Sequence, residues 1–524
     1  MSLPLLRRVA DDDVAFALTR RNGTSLPLVS ARSVDVSRIP DRQPSEGEQF
    51  RFHFDMGKCI GCKCCVVACN EQNGNPASIN WRRVSDIEGG FFPNATRSHL
   101  SMGCNHCVEP TCLSGCPVDA YTKDAATGIV SHSADACIGC QYCTWNCSYG
   151  VPQYNADRGV VGKCDMCHGR LSTGAEPACV SACPEGAIAI EIVNVAEWRA
   201  ATASGRLSET PTADFSVSTT RVSGADLAPN ARPRDLTHIK PEHPHWPLVV
   251  MTVLTQLSVG AFATIWLLQV MGGATRLGVA AIASLLVGGL ALASSTLHLG
   301  RPVYAYRALK MWRRSWLSRE VLLFAAFAKV AAVYAASLWF AWPVGAAVGA
   351  MTVLLGIAGV FASGSIYRVG SRPAWNTPYT LLQFGLTGAV LGPLFAGAIG
   401  VGDAWWMAMA AMAMAGAALL LLAVRFLHLI SADGIELRAT ARLLSTVLRP
   451  AFVARGALLV AGAIVLPLVA SAGGDTWLLG TRVAFAAGLI VTLVGEIVGR
   501  YLFFVSVVPM HMAAPYVVGA REAA

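Results

Sequence analysis

Cysteine is absent beyond Cys183, although 17 stand between Cys59 and that point, and charged residues make up only 14% of the 524 against a hydrophobic share of 54%. So low a charge density is too apolar for two to four soluble domains alone, and it places part of the chain in lipid. Also missing is an apolar stretch behind Arg7 and Arg8, because Asp11, Asp12 and Asp13 occupy the place where the core of an export signal would begin. A disulfide-rich secreted domain is therefore not expected, and the cysteine spacing matches metal ligation instead. Acidic residues are scarce in the second half: 18 basic and 7 acidic residues follow from Trp246 onward, against 23 and 26 before it. This basic balance does not point to nucleic acid, since the positive residues sit in short loops between apolar spans.

The cysteines fall into four runs of four. Cys59, Cys62, Cys65 and Cys69 have the compact x2, x2, x3 spacing of bacterial ferredoxins, and Cys137, Cys140, Cys143 and Cys147 repeat it. Cys104, Cys107, Cys112 and Cys116 widen the middle gap, whereas Cys164, Cys167, Cys179 and Cys183 spread further, and these two runs end in Cys-Pro. Three thiolates on one short turn reach three corners of a cubane while the fourth points away toward a second one. Structural zinc, the competing reading, wants separated pairs and often histidine, and it leaves the compact runs unexplained. Cys64 falls outside the ligand spacing and reads as a free or packed thiol.

The runs CIGCKCCVVAC, CNHCVEPTCLSGCP, CIGCQYCTWNC and KCDMCHGR with PACVSACP resemble the four-cluster iron-sulfur subunit of the dimethyl sulfoxide reductase family of molybdoenzymes, over residues 52 to about 195. The resemblance implies two ferredoxin-like halves that exchange ligands between runs. Cys59, Cys62, Cys65 and Cys183 would hold the 4Fe-4S cluster nearest a molybdopterin catalytic subunit, and Cys69, Cys164, Cys167 and Cys179 the next. Cys104, Cys107, Cys112 and Cys147 would hold the third, and Cys116, Cys137, Cys140 and Cys143 the fourth, nearest the membrane. Ser148 departs from the proline common in the family after the last cysteine of the third run.

Residues 1–50 read as a polar extension, 51–195 as the ferredoxin-type domain and 196–245 as a tether laid over it, rich in Thr, Ser, Pro and Arg. The tether ends in PEHPHWP, which brings His243, His245 and Trp246 to the headgroup level. Apolar runs then recur at about 248–270, 278–297, 318–341, 345–366, 379–400, 404–430, 454–472 and 482–505, each long enough to cross a bilayer. The expected fold is thus an α+β ferredoxin-like four-cluster domain followed by an all-α eight-helix transmembrane bundle, residues 246–524. Arg301, Arg307, Lys310, Arg313, Arg314, Arg319, Arg368, Arg372, Arg438, Arg442, Arg449 and Arg455, with Arg500 and Arg521, fall on the side of the N-terminus, against only Arg276 and Arg482 opposite. This bias orients the cysteine domain toward the cytoplasm at the inner membrane.

STLHLGRPVYAYRALKMWRRSWLSRE and SIYRVGSRPAWNTPYT resemble the membrane anchor subunit of the same family, which binds ubiquinone or menaquinone near the last cluster. The resemblance points to His298 and Arg301 as the quinone neighbourhood, with Glu320, Trp375 and Asn376 beside them; a helix-end histidine in contact with water and headgroups is the alternative at His298. Histidine suits proton exchange at a quinone carbonyl near neutral pH. Lys329, Arg425, His428 and Glu496 lie in or near apolar spans, where ionisable groups are costly and are paired, functional or snorkelling. FHFDMGKCIGCKCCVVACNEQN and NWRRVSDIEGG look most like the sulfite-oxidising branch, which sends electrons from sulfite to quinone. A sulfoxide or polysulfide reductase fed by quinol, and a ferredoxin-quinone or ion-translocating module without molybdenum, are the alternatives. In the molybdoenzyme readings this chain is a non-catalytic electron-transfer subunit.

Overall fold

The computed structural model describes residues 37–203, 216–224, 226–228, 230–234, 239–272, 275–471 and 479–510. Most of the expected N-terminal extension, residues 1–36, and Arg521 lie outside the described residues. The chain forms a small ferredoxin-like domain of strands and short helices, followed by a helical region.

In the first domain the strands are β1 (Glu48–Asp55), β2 (Arg83–Gly89), β3 (Thr96–Met102), β4 (Tyr121–Lys123), β5 (Val130–His132), β6 (Gln153–Asn155), β7 (Val160–Gly162), β8 (Ile188–Asn194), β9 (Arg221–Ser223) and β10 (Arg232–Pro233). They assemble as two three-stranded sheets, ordered β8-β1-β9 and β10-β2-β3, and two hairpins, β4-β5 and β6-β7. Helices α1 (Cys64–Asn73), α2 (Thr111–Gly115), α3 (Tyr142–Asn146), α4 (His168–Leu171), α5 (Ala178–Ser181) and α6 (Val195–Ala203) connect them. Strand β1 forms because its period-two pattern has two different faces. Phe50, Phe52 and Phe54 point inward and pair with Ile192, Ile190 and Ile188 of antiparallel β8, while Arg51 and His53 on the other face both reach Glu191 at 2.7 Å. A slip of one residue would turn the three phenylalanines outward, so burial fixes the register.

The segment expected as a tether is woven into this domain. Strand β9 adds a parallel edge to β1 through His53, Phe54 and Asp55, and β10 pairs with β2 opposite Ile87 and Glu88. Between these strands and α6, Thr219 and Thr220 donate their hydroxyls to Asn105 at 2.6 Å, and the Trp198 indole donates to the Ser218 carbonyl at 2.8 Å.

The helical region holds eight candidate membrane spans. They are α7 (Trp246–Met271), α8 (Leu277–Thr296), α9 (Trp316–Trp339), α10 (Gly345–Ile366), α11 (Pro378–Ile399) and α12 (Ala404–Ser431). After the short α13 (Ile435–Ser445), the seventh span is α14 (Arg449–Val460) running through a π turn into α15 (Leu466–Ser471), and α16 (Leu479–Val505) is the eighth. Small residues let the helices approach closely, since lipid supplies no hydrophobic drive of its own. A Cβ on Gly388 of α11 would stand 2.7 Å from the Gln256 carbonyl of α7, and one on Gly462 would stand 2.5 Å from Thr492 of α16.

Burial opposes ionisation of Glu191, but the hydrogen bond from His53 and the charge of Arg51 outweigh it and hold the carboxyl at about 2 rather than 4.5. A lowered carboxylate contributes stability that is complete above about 4.5 and is lost as pH falls toward about 2. The melting temperature of the cysteine domain is expected to fall across that window, and Glu191→Gln is expected to flatten this slope in calorimetry.

Candidate functional site

The sulfurs gather into four sets, and each set takes three cysteines from one run and one from another. Around Cys59 the neighbouring thiols are Cys65, Cys183 and Cys62. Around Cys69 they are Cys164, Cys179 and Cys167. Cys112 meets Cys147, Cys104 and Cys107, and Cys143 meets Cys140, Cys116 and Cys137. One cavity is lined by all four sulfurs of the first set together with Phe54, Ile60 and Pro184. Among the described residues no three His, Cys, Asp or Glu side chains close on a point where they could hold one metal ion. Four cysteines to a set, three of them from one run, suit a polynuclear centre better than a lone zinc, which favours two separated pairs. Exposed Cys64 belongs to no set and meets Cys62 at its side chain.

Left-handed backbone shapes these nests. Gly61 and Lys63, Gly139 and Gln141, and Met166 and Cys167 have φ between 51° and 71°, each pair inside a cysteine loop. Such turns aim successive N–H groups inward, the geometry that holds anions and iron-sulfur centres. The Gly139 and Met166 amides donate to Cys137 Sγ and Cys164 Sγ at 3.4 Å, and Ala120 and Ala187 donate to Cys116 Sγ and Cys183 Sγ at 3.3 Å. The last two are the Cys-Pro runs: proline lacks an N–H, so the donor comes from four residues on. Burial pushes the Cys179 thiol up to about 11 and the Cys140 thiol up to about 12. Ligation would release those protons, since a metal takes the thiolate.

The sets follow one another toward the helices. Cys65 of the first set acts on Cys179 of the second, and Cys104 of the third acts on Cys164 of the second. Tyr121 lies between Cys112 and the fourth-set pair Cys143 and Cys116. The first set is the most exposed, with Cys62 open to solvent and Cys59 and Cys183 half-buried. The fourth is seated on the membrane region. Arg301 gives its backbone N–H to the Ile138 carbonyl at 3.1 Å and its guanidinium to the Ala134 carbonyl at 2.9 Å. Ser315 donates to the Gly115 carbonyl at 2.7 Å, and Met311 N–H to Pro117 at 3.2 Å. Gly300 passes so near Gly139 and Gly159 that a Cβ on it would strike the Gly159 carbonyl.

Several of the expected quinone residues lie near α3, the helix that carries Cys143. Its Trp145 packs edge-on to His245 at 5.1 Å and to Trp375 at 5.6 Å, and His298 lies beside His245. Burial depresses both histidines, His245 to about 4, with His243, His298 and Arg372 adding to the effect. His298 Nδ1 faces the Ser295 carbonyl at 2.5 Å. Glu320 lies next to Ser363 and Tyr367 and within reach of Tyr142. Trp375 is fully buried, stacked on Phe503 and bonded to its carbonyl at 2.8 Å, whereas Asn376 is exposed and Arg301 is committed to the docking contact.

Of the other ionisable groups in the spans, Lys329 is exposed and His428 packs on Tyr379. Arg425 donates to Gln383 at 2.7 Å, and Glu496 accepts from Thr387 at 2.6 Å, with Arg455 4.0 Å away. Arg82, Lys163 and Trp145 were not singled out by sequence. Lys163 stands directly before Cys164 and so carried a weak signal, but nothing in the local pattern marks the buried Arg82.

Together the domain and helices define an iron-sulfur electron carrier joined to a membrane anchor. Residues 96–192 match the 4Fe-4S dicluster domain, and residues 240–505 match the DMSO reductase anchor subunit (DmsC). Over 146 residues the sequence is 39% identical to a chain of the anaerobic dimethyl sulfoxide reductase of Haemophilus influenzae, covering 26% of this protein and 71% of that one. It is 38% identical over 144 residues to the corresponding chain of Escherichia coli K12 (26% and 70%), and 35% over 160 residues to a subunit of the sulfite dehydrogenase of Allochromatium vinosum (26% and 67%). The chain belongs to the DMSO reductase family of electron-transfer and anchor subunits, with the iron-sulfur and the anchor subunit fused in one polypeptide.

Gly300→Ala is expected to loosen the seat of the fourth set, at a cost of about 1–3 kcal/mol from overpacking. Limited proteolysis between residues 203 and 246 checks it: cleavage should release the cysteine domain from membranes faster in the variant than in the parent.

Proposed function

We propose that this chain relays electrons through four 4Fe-4S clusters between a molybdopterin catalytic subunit and the membrane quinone pool, in the oxidation of sulfite. The observation that carries this reading is the unbroken succession of four-sulfur nests from the exposed Cys62 to the loop seated on Gly300. Cys59, Cys62, Cys65 and Cys183 would hold the outermost cluster, and Cys69, Cys164, Cys167 and Cys179 the second. Cys104, Cys107, Cys112 and Cys147 would hold the third, and Cys116, Cys137, Cys140 and Cys143 the one at the membrane. When bound, each group supplies one-electron redox chemistry, with its potential set by net charge, hydrogen bonds to sulfur and exposure.

What the polypeptide contributes is position. The amides of Gly139, Met166, Ala120 and Ala187 orient the sulfurs and favour their charged form. Ile60 and Val67, 60% exposed beside the first nest, offer an apolar face to the catalytic subunit. At the other end, His245 stands against Trp145 with His298 beside it, where a quinone headgroup being reduced would find imidazoles through which protons can be passed to its oxygens. The basic loops support a cytoplasmic cysteine domain, although Arg301, Arg307 and Arg314 are also spent on docking, at Ala134, Asp135 and Asp119. Quinol-driven reduction of a sulfoxide is the second reading, favoured by the identity to the two reductase chains.

Membranes containing the complex should reduce added quinone when given sulfite, and His298→Leu should slow this at least tenfold while the iron content is unchanged. Oxidation of quinol by dimethyl sulfoxide, with no response to sulfite, would replace this reading by the second. Full quinone-linked activity with no molybdenum-containing companion would replace both by a molybdenum-independent module. Cys147→Ser should remove the third cluster and spare the fourth, although Cys147 belongs to the run that supplies the fourth; Cys64→Ser should lose no iron.

A further inference from the structure

Two buried cations stand in the gaps between successive nests. Arg82 is 2% exposed at the head of β2, and the thiols acting on it are Cys179, Cys65, Cys164 and Cys69, drawn from the first and second nests. Its Nη1 donates to Ser101 Oγ at 3.1 Å, and that hydroxyl lies 3.4 Å from Cys65 Sγ, so a hydrogen-bonded path joins the guanidinium to the first nest. Its Nη2 is buried and has no partner among the described residues. Lys163 is 4% exposed and stands one gap further on. Its ammonium is gripped by the carbonyls of Val130 and Cys164 and bonds the side chain of Cys104, and Cys104, Cys112 and Cys164 are the thiols that act on it. Cys164, in the second nest, feels both cations.

A buried charge is costly unless an opposite charge faces it. The groups acting on Arg82 are thiols, and on Lys163 three thiols act ahead of the one carboxylate, Asp165. The third gap differs: Tyr121 occupies it, a neutral side chain that meets Cys143 of the fourth nest at its hydroxyl. At the fourth nest the charges acting on Cys140 are those of its sister thiols.

We infer that Arg82 and Lys163 are potential-setting cations, Arg82 for the first and second centres and Lys163 for the second and third, while the fourth is set without one. A fixed positive charge favours the more negative, reduced state of a centre it borders, so each cation raises the reduction potential of its two neighbours. The second centre, bordered by both, receives the largest rise. This rests on the four-cluster reading and adds to it an assignment of which residue tunes which centre.

The test is a redox titration of the anaerobically purified complex, followed by electron paramagnetic resonance of each centre. Arg82→Gln should lower the potentials of the first and second centres and leave the third and fourth in place. Lys163→Gln should lower the second and third and leave the first and fourth. Arg82→Lys and Lys163→Arg, which keep the charge, should titrate close to the parent. Potentials that stay unchanged in the neutral variants overturn the inference, as does a uniform shift of all four centres. Loss of a centre in a neutral variant that the charge-keeping variant does not restore also overturns it, because the role would then be structural. A parent protein with no iron-sulfur signal would instead remove the four-cluster reading itself.

Discussion

Everything in the cysteine domain follows from one constraint: no run of cysteines completes its own nest. Cys183 must return to Cys59, Cys62 and Cys65, and Cys69 must wait for Cys164, Cys167 and Cys179. Cys147 and Cys116 change places between the inner two nests in the same way. The polypeptide between them has little regular structure, with two three-stranded sheets and two short hairpins. Such a fold would be marginal on its own small core. Metal bound by residues far apart in sequence stabilises the folded chain directly, because the site does not exist in the unfolded one. The inter-run exchange therefore locks the domain and also sets its nests in a line.

The end of that line had to meet the helices without a gap. Three glycines, Gly139, Gly159 and Gly300, bring backbone against backbone, and α3 lays Trp145 among His245, Tyr367, Trp375 and Phe504. Strands β9 and β10 serve the same end, since the segment leading to the first span is paired into both sheets before it leaves. The two halves are consequently held as a wire and its mount rather than as beads on a string. Within the spans the buried charges are answered locally: Arg500 bonds Gln256 at 2.8 Å and lies 3.5 Å over Phe384, and Glu496 is met by Thr387 and Arg455.

What could be read in advance depended on how local the signal was. The eight spans were legible because about 20 apolar residues are required to cross a bilayer; the helices begin and end within a few residues of the apolar runs, except that the seventh begins at Arg449, ahead of its run. The four cysteine runs were equally plain and implied an exchange of sulfurs, but which run trades with which lies in no spacing and entered only with the family resemblance. Strands of three and two residues at 221–223 and 232–233 left no period to detect, so that segment read as a tether. Arg82 was invisible for a related reason, because its importance comes from burial between elements that are distant in sequence. His298 and Trp375 were singled out with Arg301, yet the fold gives Arg301 to docking at the Ala134 carbonyl.

Iron and acid-labile sulfide per chain, measured in protein purified without oxygen, bear most directly on the nests. Equal amounts of the two, four of each for every nest, are the expected result by cubane stoichiometry. Zinc in place of iron, with no labile sulfide, would contradict it.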